Sequence, residues 1–283
     1  MAVDLHTHSS FSDGSDDPST LVRLALGVGL SALALTDHDT LDGVGEARAA
    51  AAGTGLDLIP GVELSVEWEP GPVHLLAYFV EPGPGPLADH LAELQAGRAR
   101  RNQEILMALA ELGIRLQPED LRATPGLVGR PHIAAALVRD GHAATVADAF
   151  ALYLAQGRPA YRPRPRLTAA EAIRLTRQSG GVAVLAHPHT IAAAAADYAD
   201  ALVAFAALGG GGVECHYPDY PPELRGHLTE ATRRLGMVPT GGSDYHGELR
   251  PGVALGTGRG DLAVPDEVVE DLRPAAGRPE GFS

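Results

Sequence analysis

Short apolar runs alternate with amphipathic stretches along most of the chain. The β-prone runs fall at 3–5, 32–35, 56–62, 73–79, 182–185, 213 and 237–239. Helical patterns lie between them at 42–52, 168–179, 197–208 and 222–235. A further helix is expected after Asp17, because Asp17 can cap it and Pro18 suits its first position. This alternation predicts an α/β fold with parallel strands joined by helical crossovers.

The strand pattern is interrupted once. It stops after EPGPGP at 81–86 and resumes after RPRPR at 162–166, with helical patterns alone in between. We therefore predict a β/α portion at 1–86 and 167–265, with a helical cap subdomain inserted at 87–166. The residues 266–283, which end in RPAAGRPEGFS, are predicted to form a flexible tail.

Composition narrows the class of protein. The chain has 283 residues, 45% of them hydrophobic, which is enough for a large core. No apolar run approaches the ~20 residues of a membrane span, and the N-terminus lacks the features of a signal peptide. The single cysteine, Cys215, excludes an intramolecular disulfide and fits a reducing compartment, where we expect it to be a packed apolar residue. We therefore expect a globular cytoplasmic protein.

The charged residues exclude some chemistry and leave one question open. All 22 basic residues are arginine, which excludes carboxylated-lysine, Schiff-base and P-loop chemistry. The net charge of -14 argues against binding to duplex DNA. However, 11 of the arginines lie within 91–166, beside 7 acidic residues. That segment is either a phosphate-facing surface or an ordinary solvated helical surface.

Candidate metal ligands follow nearly every predicted strand. In VDLHTHSSFSDG at 3–14, His6 and His8 are two residues apart and so point to the same side of a strand end. The full set is His6, His8, Asp13, His38, Glu63, His74, His187, Asp244 and His246. In a barrel of parallel strands these positions meet at the carboxyl end, where such folds keep their active sites.

The ligand types indicate the metal and the reaction. Imidazoles and carboxylates without thiolates suit Mn, Fe or Zn, and nine groups are too many for one ion. We predict two or three adjacent ions, with Glu63 as a bridging ligand. Clustered ions make hydroxide available at neutral pH and stabilise both oxygens of a phosphoryl transfer. The predicted reaction is hydrolysis of a phosphate ester.

Six motifs, in chain order, resemble those of the PHP (polymerase and histidinol phosphatase) family. They are DLHTHSSFSDG, LALTDHDT, PGVELS, VHLLAY, VLAHPH and GGSDYH. The resemblance covers about 1–90 and 165–260, and it implies a distorted seven-stranded β/α barrel with up to three metal ions. In the insertion, GRPHIAAALV and YLAQGRPAY resemble the capping subdomain of stand-alone PHP phosphoesterases. Those enzymes act as nucleoside 3′,5′-bisphosphate phosphatases and as 5′ to 3′ exonucleases on short RNA.

The resemblance also implies which residues share an ion. One ion would take His6, His8, Glu63 and Asp244; a second Asp13, His38 and His246; a third Glu63, His74 and His187. We expect Mn, with Fe or Zn as alternatives, and assign catalytic roles to His187, Glu63 and Asp244. Asp37 is expected to orient a neighbouring ligand by hydrogen bonding instead of binding metal itself.

Substrate-binding residues are predicted around the motif GRPHIA. A helix N-terminus with an adjacent guanidinium suits a phosphate, so Arg130 and His132 are candidates. His189 is expected to line the mouth of the pocket, whereas His216 matches no motif. The arginines at 158, 162 and 164 either extend this basic surface or are solvated.

The expected reaction is removal of the 3′-phosphate from a nucleoside 3′,5′-bisphosphate. Alternatives are a 5′ to 3′ exonuclease on short RNA, a histidinol phosphatase, an amidohydrolase or a non-catalytic metal-bearing scaffold. The common amidohydrolase centre needs a carboxylated lysine, whereas carboxylate-bridged amidohydrolase centres do not and stay possible. A scaffold usually lacks ligands, yet none is missing here. The expected partner is a small nucleotide or short RNA, with no membrane and no obligate protein partner.

Overall fold

The structure is a computed structural model that describes residues 2–69, 71, 73–117, 121, 128–163, 166–191 and 198–276. The strands are β1 (Ala2–Asp4), β2 (Leu30–Leu35), β3 (Asp57–Glu67), β4 (Val73–Tyr78), β5 (Leu167–Thr168), β6 (Val182–Leu185), β7 (Gly212–His216), β8 (Val238–Gly241) and β9 (Val264–Pro265). The α-helices are α1 (Pro18–Gly27), α2 (Val44–Ala51), α3 (Pro86–Glu111), α4 (Arg130–Arg139), α5 (Val146–Ala149), α6 (Ala169–Gln178), α7 (Ala199–Ala207), α8 (Pro222–Arg234) and α9 (Glu267–Ala276). A π-helical turn, Phe150–Leu154, follows α5, and short 3₁₀ turns lie at Pro188–Thr190 and Gly247–Leu249.

The strands form one sheet that curls into a nearly closed barrel. Its order is β8-β7-β6-β4-β3-β2-β1-β9, with β5 added beside β3. The two ends meet where Leu5 donates a backbone hydrogen bond to Gly241 (3.3 Å) and Thr7 forms a parallel bridge with Tyr245. The predicted barrel is therefore confirmed, and its seven main strands are supplemented by the two-residue strands β5 and β9.

Two strands, β4 and β9, run against the predicted direction. β4 is antiparallel to both of its neighbours, β3 and β6. The pairs β1–β2, β2–β3, β6–β7 and β7–β8 are parallel. No helix separates β3 from β4, so the chain returns directly and pairs antiparallel. The prediction of parallel strands is wrong at β4, and also at β9, which pairs antiparallel with β1.

The helices begin where the sequence provides caps. Asp17 accepts a hydrogen bond from the Thr20 amide (2.6 Å), with Pro18 at the first position of α1. Thr168 and Glu171 cap the start of α6 reciprocally. These helices pack their apolar faces on the outside of the sheet.

Successive side chains of each strand point to opposite faces of the sheet and so belong to two separate apolar clusters. Side chains such as Leu33, Leu35 and Leu75 pack outward against α1, α2, α6, α7 and α8. Their strand neighbours, including Ala34 and Leu76, belong to a second cluster on the other face of the sheet. The barrel is thus packed on both faces, which fixes the strand ends that carry the polar residues.

Helix α9 closes the second cluster. Its side chains Val268, Val269 and Leu272 are buried against that face. The prediction of a flexible tail at 266–283 is therefore wrong for 267–276, because the polar and Pro-containing composition concealed an apolar stripe at helical spacing. Residues 277–283 lie outside the described part of the chain.

Between β4 and β5 the described residues contain helices alone. The helices α3, α4 and α5 share an apolar cluster of their own, which includes Ile105, Leu109, Ile133 and Leu137. The N-terminal end of α3 packs on the barrel through Leu87 and Leu91. We call 86–163 the helical segment; the domain boundaries at 87 and 166 stay a prediction. No helix among the described residues is long and apolar enough to span a membrane.

Candidate metal centre

Nine histidine and carboxylate side chains converge at one end of the barrel. They are His6, His8 and Asp13 after β1, His38 after β2, Glu63 in β3, His74 in β4, His187 after β6, and Asp244 and His246 after β8. All are buried or half-buried. The structure thus brings together every residue predicted as a metal ligand, and we call this group the histidine-carboxylate cluster.

Glu63 lies at the middle of this cluster. Its Oε1 is 2.8 Å from His74 Nδ1 and 3.0 Å from His187 Nε2, and its Oε2 is 3.1 Å from His38 Nδ1, 3.2 Å from His8 Nε2 and 3.5 Å from His6 Nε2. The two oxygens therefore face rings from different strands. A carboxylate in this position can bridge two cations, one at each oxygen.

The other two carboxylates, Asp13 and Asp244, also lie close to rings of the cluster. Asp244 Oδ1 is 3.3 Å from His8 Nε2 and 3.4 Å from His6 Nε2. Asp13 Oδ1 is 3.4 Å from His246 Nε2, and Asp13 Oδ2 is 3.7 Å from His38 Nε2. The nine donors therefore form one continuous set instead of separate sites.

Donor atoms within 4.8 Å of one another define four overlapping groups. These are His8–Asp13–His38–His246, His6–His187–Asp244, His6–His8–Glu63 and His38–Glu63–His74. Compared with the division implied by the family resemblance, His8 also joins the group around Asp13, and His187 also joins His6 and Asp244. Which ion each residue would hold stays a prediction.

The cluster suits divalent metal ions by the chemistry of its donors. Asp13 Oδ1 and His38 Nδ1 are buried without a hydrogen-bond partner among the described residues. His6 Nε2 and His8 Nε2 face each other at 3.1 Å, and each is also close to carboxylate oxygens. Lone pairs of nitrogen and oxygen that converge in this way are ligands of Mn, Fe or Zn.

The carboxylates of the cluster are held ionised. Burial alone would raise the pKa of Glu63, but the imidazole rings that surround its two oxygens outweigh it and hold that pKa well below its usual range. The same balance lowers the pKa of Asp13, through His38 and His246, and of Asp244, chiefly through His6. Three buried negative charges therefore need positive charge beside them, from cations or from protons.

The histidines of the cluster differ in pKa. Burial would lower the pKa of His8, but hydrogen bonds to Asp244 and Glu63 raise it to about 10. Burial lowers the pKa of His38 to about 3, because it outweighs the opposite effect of the Glu63 and Asp13 carboxylates. Beside Glu63, His8 thus holds a proton strongly, whereas His38 is neutral and has a lone pair for a metal ion.

A buried carboxylate outside the predicted set supports two of the rings. Glu214 Oε1 accepts a hydrogen bond from His6 Nδ1 (2.9 Å), and Glu214 Oε2 accepts one from the backbone amide of His187 (2.7 Å). Glu214 therefore turns His6 Nε2 toward the cluster. A single carboxylate within the apolar strand GVECH was the sequence signal for this role.

Three consecutive residues of TDHDT point to three different partners. Asp37 accepts hydrogen bonds from the amide of Ser9 (2.7 Å) and the hydroxyl of Ser12 (2.6 Å), so it fixes the loop after β1 instead of facing the cluster. His38 belongs to the cluster. Asp39 accepts a hydrogen bond from Arg98 Nη2 (2.5 Å), which ties α3 to the metal centre. Sequence reasoning did not single out Arg98.

The predicted phosphate-binding arginine is partly engaged within the helical segment. Arg130 Nη1 donates to the carbonyl of Leu154 (3.2 Å), and its guanidinium lies 5.5 Å from the Phe150 ring and 5.9 Å from the Tyr161 ring. Burial lowers the pKa of Arg130. The other N–H groups of the Arg130 guanidinium can donate hydrogen bonds to a ligand.

His132 lies in the first turn of α4, and Arg98 of α3 approaches the same turn. His132 Nδ1 accepts a hydrogen bond from the Gly129 amide (3.1 Å), and burial lowers the pKa of His132 despite the charge of Asp13. A side chain at Gly129 would meet Arg98 Nη1 at 3.0 Å, so glycine allows this close approach. The N-terminus of α4 thus carries a neutral imidazole and a neighbouring guanidinium.

His189 lies beside the cluster, next to two tyrosines. Its ring centroid is 5.8 Å from that of His187, and its Nδ1 is 2.9 Å from the hydroxyl of Tyr220. Burial lowers its pKa, so the ring is neutral at pH 7. Of the other arginines, Arg158 is exposed and Arg162 donates to backbone carbonyls, whereas Arg164 lies outside the described residues.

A barrel whose strand ends gather nine nitrogen and oxygen donors, without a thiolate, defines a metal-dependent hydrolase. The sequence profile of the PHP domain matches residues 4–116. The chain is 36% identical over 260 residues to the 5'-3' exoribonuclease Rnm of Salmonella typhimurium, which covers 90% of this chain and 88% of that protein. It is 30% identical over 275 residues to the 3',5'-nucleoside bisphosphate phosphatase of Chromobacterium violaceum, covering 96% and 94%.

The chain therefore belongs to the PHP domain family and is a metal-dependent phosphoesterase. A crystal structure from Bifidobacterium adolescentis, provisionally described as a metal-dependent phosphoesterase, matches it with a TM-score of 0.85 and 33% identity over 96% of both chains. The non-catalytic scaffold considered above is set aside by this assignment.

Proposed function

We propose that this enzyme removes the 3′-phosphate from nucleoside 3′,5′-bisphosphates. The observation that carries the proposal is the position of the nine-donor cluster beside the N-terminus of α4, where Arg98, Arg130 and His132 lie. A substrate with two phosphates needs two cationic sites. The cluster would receive the phosphate that is cleaved, and the arginines of the helical segment would receive the other.

The cluster would hold two or three divalent ions, with Mn expected. When bound, these ions activate water and stabilise charge on the phosphoryl oxygens. Glu63 would bridge ions through its two oxygens, since rings from different strands face each of them. Asp244 and His187 would complete the catalytic set around His6.

The neutral imidazoles at the edge of the cluster would contact the substrate. His132 uses Nδ1 to accept a backbone hydrogen bond, so its Nε2 carries the proton and can donate to a phosphate oxygen. His189 is neutral and stands against Tyr220, where it would contact the nucleoside. Arg98 pairs with Asp39, and its guanidinium would add to the phosphate-binding surface that Arg130 contributes.

A second candidate is 5′ to 3′ exonuclease activity on short RNA. It is favoured by the 36% identity to a protein named as a 5'-3' exoribonuclease. A 5′-phosphorylated RNA could use the same two sites, with its 5′-phosphate at the arginines and a phosphodiester at the cluster. In both candidates the 3′-oxygen of the 5′-phosphorylated nucleotide is the leaving group, and they differ in whether the phosphorus that is attacked carries a second ester.

The deciding experiment compares kcat/KM for four substrates with Mn present. They are adenosine 3′,5′-bisphosphate, adenosine 3′-phosphate, a 5′-phosphorylated RNA trimer and histidinol phosphate, with an amide as an additional control. We expect the bisphosphate to be best and the 3′-monophosphate to be about 10- to 100-fold poorer, because charge-assisted hydrogen bonds are worth about 1.5–3 kcal/mol.

Each other ranking has a distinct meaning. Equal rates for the monophosphate and the bisphosphate would refute the two-site proposal. A preference for the RNA trimer would assign the exonuclease activity instead. If histidinol phosphate were hydrolysed best, the nucleotide assignment would be wrong, and hydrolysis of the amide alone would return the chain to the amidohydrolase alternative.

A further inference from the structure

The two oxygens of Asp244 lie in different surroundings. Oδ1 faces the ring nitrogens of His6 (3.4 Å), His8 (3.3 Å) and His246 (3.5 Å). Oδ2 points away from these rings and accepts hydrogen bonds from two other side chains. One oxygen is thus available to a metal ion and the other is occupied.

The donors to Oδ2 are Arg250 and Tyr217. Arg250 Nη1 lies 2.7 Å from Oδ2, and the hydroxyl of Tyr217 donates to the same oxygen at 2.8 Å. Arg250 Nη2 in turn donates to the Tyr217 hydroxyl (2.9 Å) and to Asp219 Oδ2 (2.8 Å). The planar guanidinium therefore holds the carboxylate and the tyrosine in one fixed arrangement.

Arg250 also holds the backbone of the same turn. Asp244 has a φ of +51°, a left-handed conformation that a residue with a Cβ rarely adopts. Arg250 Nη1 donates to the carbonyls of Asp244 (3.0 Å) and Ser243 (3.3 Å), which this conformation turns toward it. One side chain thus stabilises both the unusual backbone and the orientation of the carboxylate.

We propose that Arg250 is a positioning residue of the metal centre. By occupying Oδ2 together with Tyr217, it makes Asp244 present Oδ1 alone to the histidine-carboxylate cluster. Among the described residues, Arg250 forms hydrogen bonds with Ser243, Asp244, Tyr217 and Asp219 and with no ring of the cluster, so it acts through Asp244. This inference rests on the proposed function, in which Asp244 is a metal ligand.

The test is Mn binding to the metal-free protein, measured by titration calorimetry and by metal content after dialysis. Arg250→Gln should weaken Mn binding about 10- to 100-fold, the usual range for residues that orient a ligand. The kcat should fall with little change in KM, because the substrate is not touched. Arg250→Lys should restore part of the affinity, since an ammonium can pair with Oδ2 but cannot also bind both carbonyls.

The chain offers a matched control. Arg259 pairs with the other oxygen of Asp219 (2.5 Å) and, in the described part of the chain, forms no hydrogen bond or ion pair with Asp244 or Tyr217. Arg259→Gln should leave Mn binding unchanged. If Arg259→Gln weakened Mn binding as much as Arg250→Gln, the effect would belong to the loop around Asp219 and the inference would be overturned.

Asp244→Asn separates this inference from the proposed function. If Asp244→Asn binds Mn as the unchanged protein does, Asp244 is not a ligand and the proposed metal centre is wrong at that position. If Asp244→Asn loses Mn and Arg250→Gln does not, the positioning role alone is refuted. Should Arg250→Gln fail to fold, Arg250→Lys and Tyr217→Phe decide: weaker Mn binding in both supports the inference, and unchanged binding in both overturns it.

Discussion

Replacing Glu63 by glutamine is the most informative single change in the metal centre. Glutamine has nearly the same shape as glutamate but carries no charge, and one oxygen becomes an amide that donates hydrogen bonds. In the folded protein the pKa of Glu63 is held well below its usual range, so the side chain is ionised at any pH used for assay. The substitution therefore removes one full negative charge without creating a cavity.

The size of the effect follows from what surrounds that charge. Five ring nitrogens lie between 2.8 and 3.5 Å from the two oxygens, and the side chain is 1% exposed. Removing one partner from a buried charged pair costs about 3–5 kcal/mol. With about 1.4 kcal/mol for each tenfold change in rate, Glu63→Gln should lower kcat/KM by roughly two to nearly four orders of magnitude.

Asp37→Asn is the matched control for this change. Asp37 is also buried and lies in the same motif region, but its oxygens bind Ser9 and Ser12 and not the rings of the cluster. Metal content and kcat/KM should be measured for both variants after reconstitution with Mn. We expect Glu63→Gln to lose at least one ion per chain and Asp37→Asn to retain more. An equal metal content, with the smaller loss of kcat/KM in Glu63→Gln, would refute the bridging role.

Three further changes test other parts of the structure. Arg130→Ala should lower kcat/KM about 10- to 100-fold with unchanged metal content. Arg139 is exposed on the same helix, and Arg139→Ala should leave kcat/KM unchanged. If Arg130→Ala also left kcat/KM unchanged, Arg130 would have a structural role only. Asp17→Ala should cost about 1 kcal/mol in urea unfolding, because it removes the cap of α1, and no change would show that the cap is dispensable. Burial raises the pKa of Cys215 to about 12, so this thiol should stay unlabelled by a thiol reagent at pH 8 until the protein is unfolded.

The strand-end ligands were predictable because their signal is local. Each follows or lies within an apolar run, and the carboxyl ends of barrel strands share one face whatever the details of the loops. His6 and His8 needed only the two-residue repeat of a strand. The direction of β4 was not predictable in this way, since an apolar run has the same composition in a parallel and an antiparallel strand.

The residues that support the ligands were missed because their partners are distant in sequence. Glu214 bonds to His6 across 208 positions, and Asp4 accepts hydrogen bonds from Ser243 across 239. Arg250 lies close to Asp244 in sequence, but its role depends on Tyr217 from another loop. Such hydrogen-bonded pairs form only when the barrel closes, so they cannot be predicted from the periodicity of the sequence.

The loop after β2 shows how the two halves of the proposed site are held at a fixed separation. Asp37 binds the loop after β1, and Asp39 binds α3 through Arg98, so His38 is clamped between the barrel and the helical segment. Gln95 of α3 also donates to the carbonyl of Asp39 (3.0 Å). Any shift of α3 relative to the barrel must therefore pull on the residue next to a proposed metal ligand. Discrimination between substrates by the distance between their two phosphates requires this kind of rigid connection.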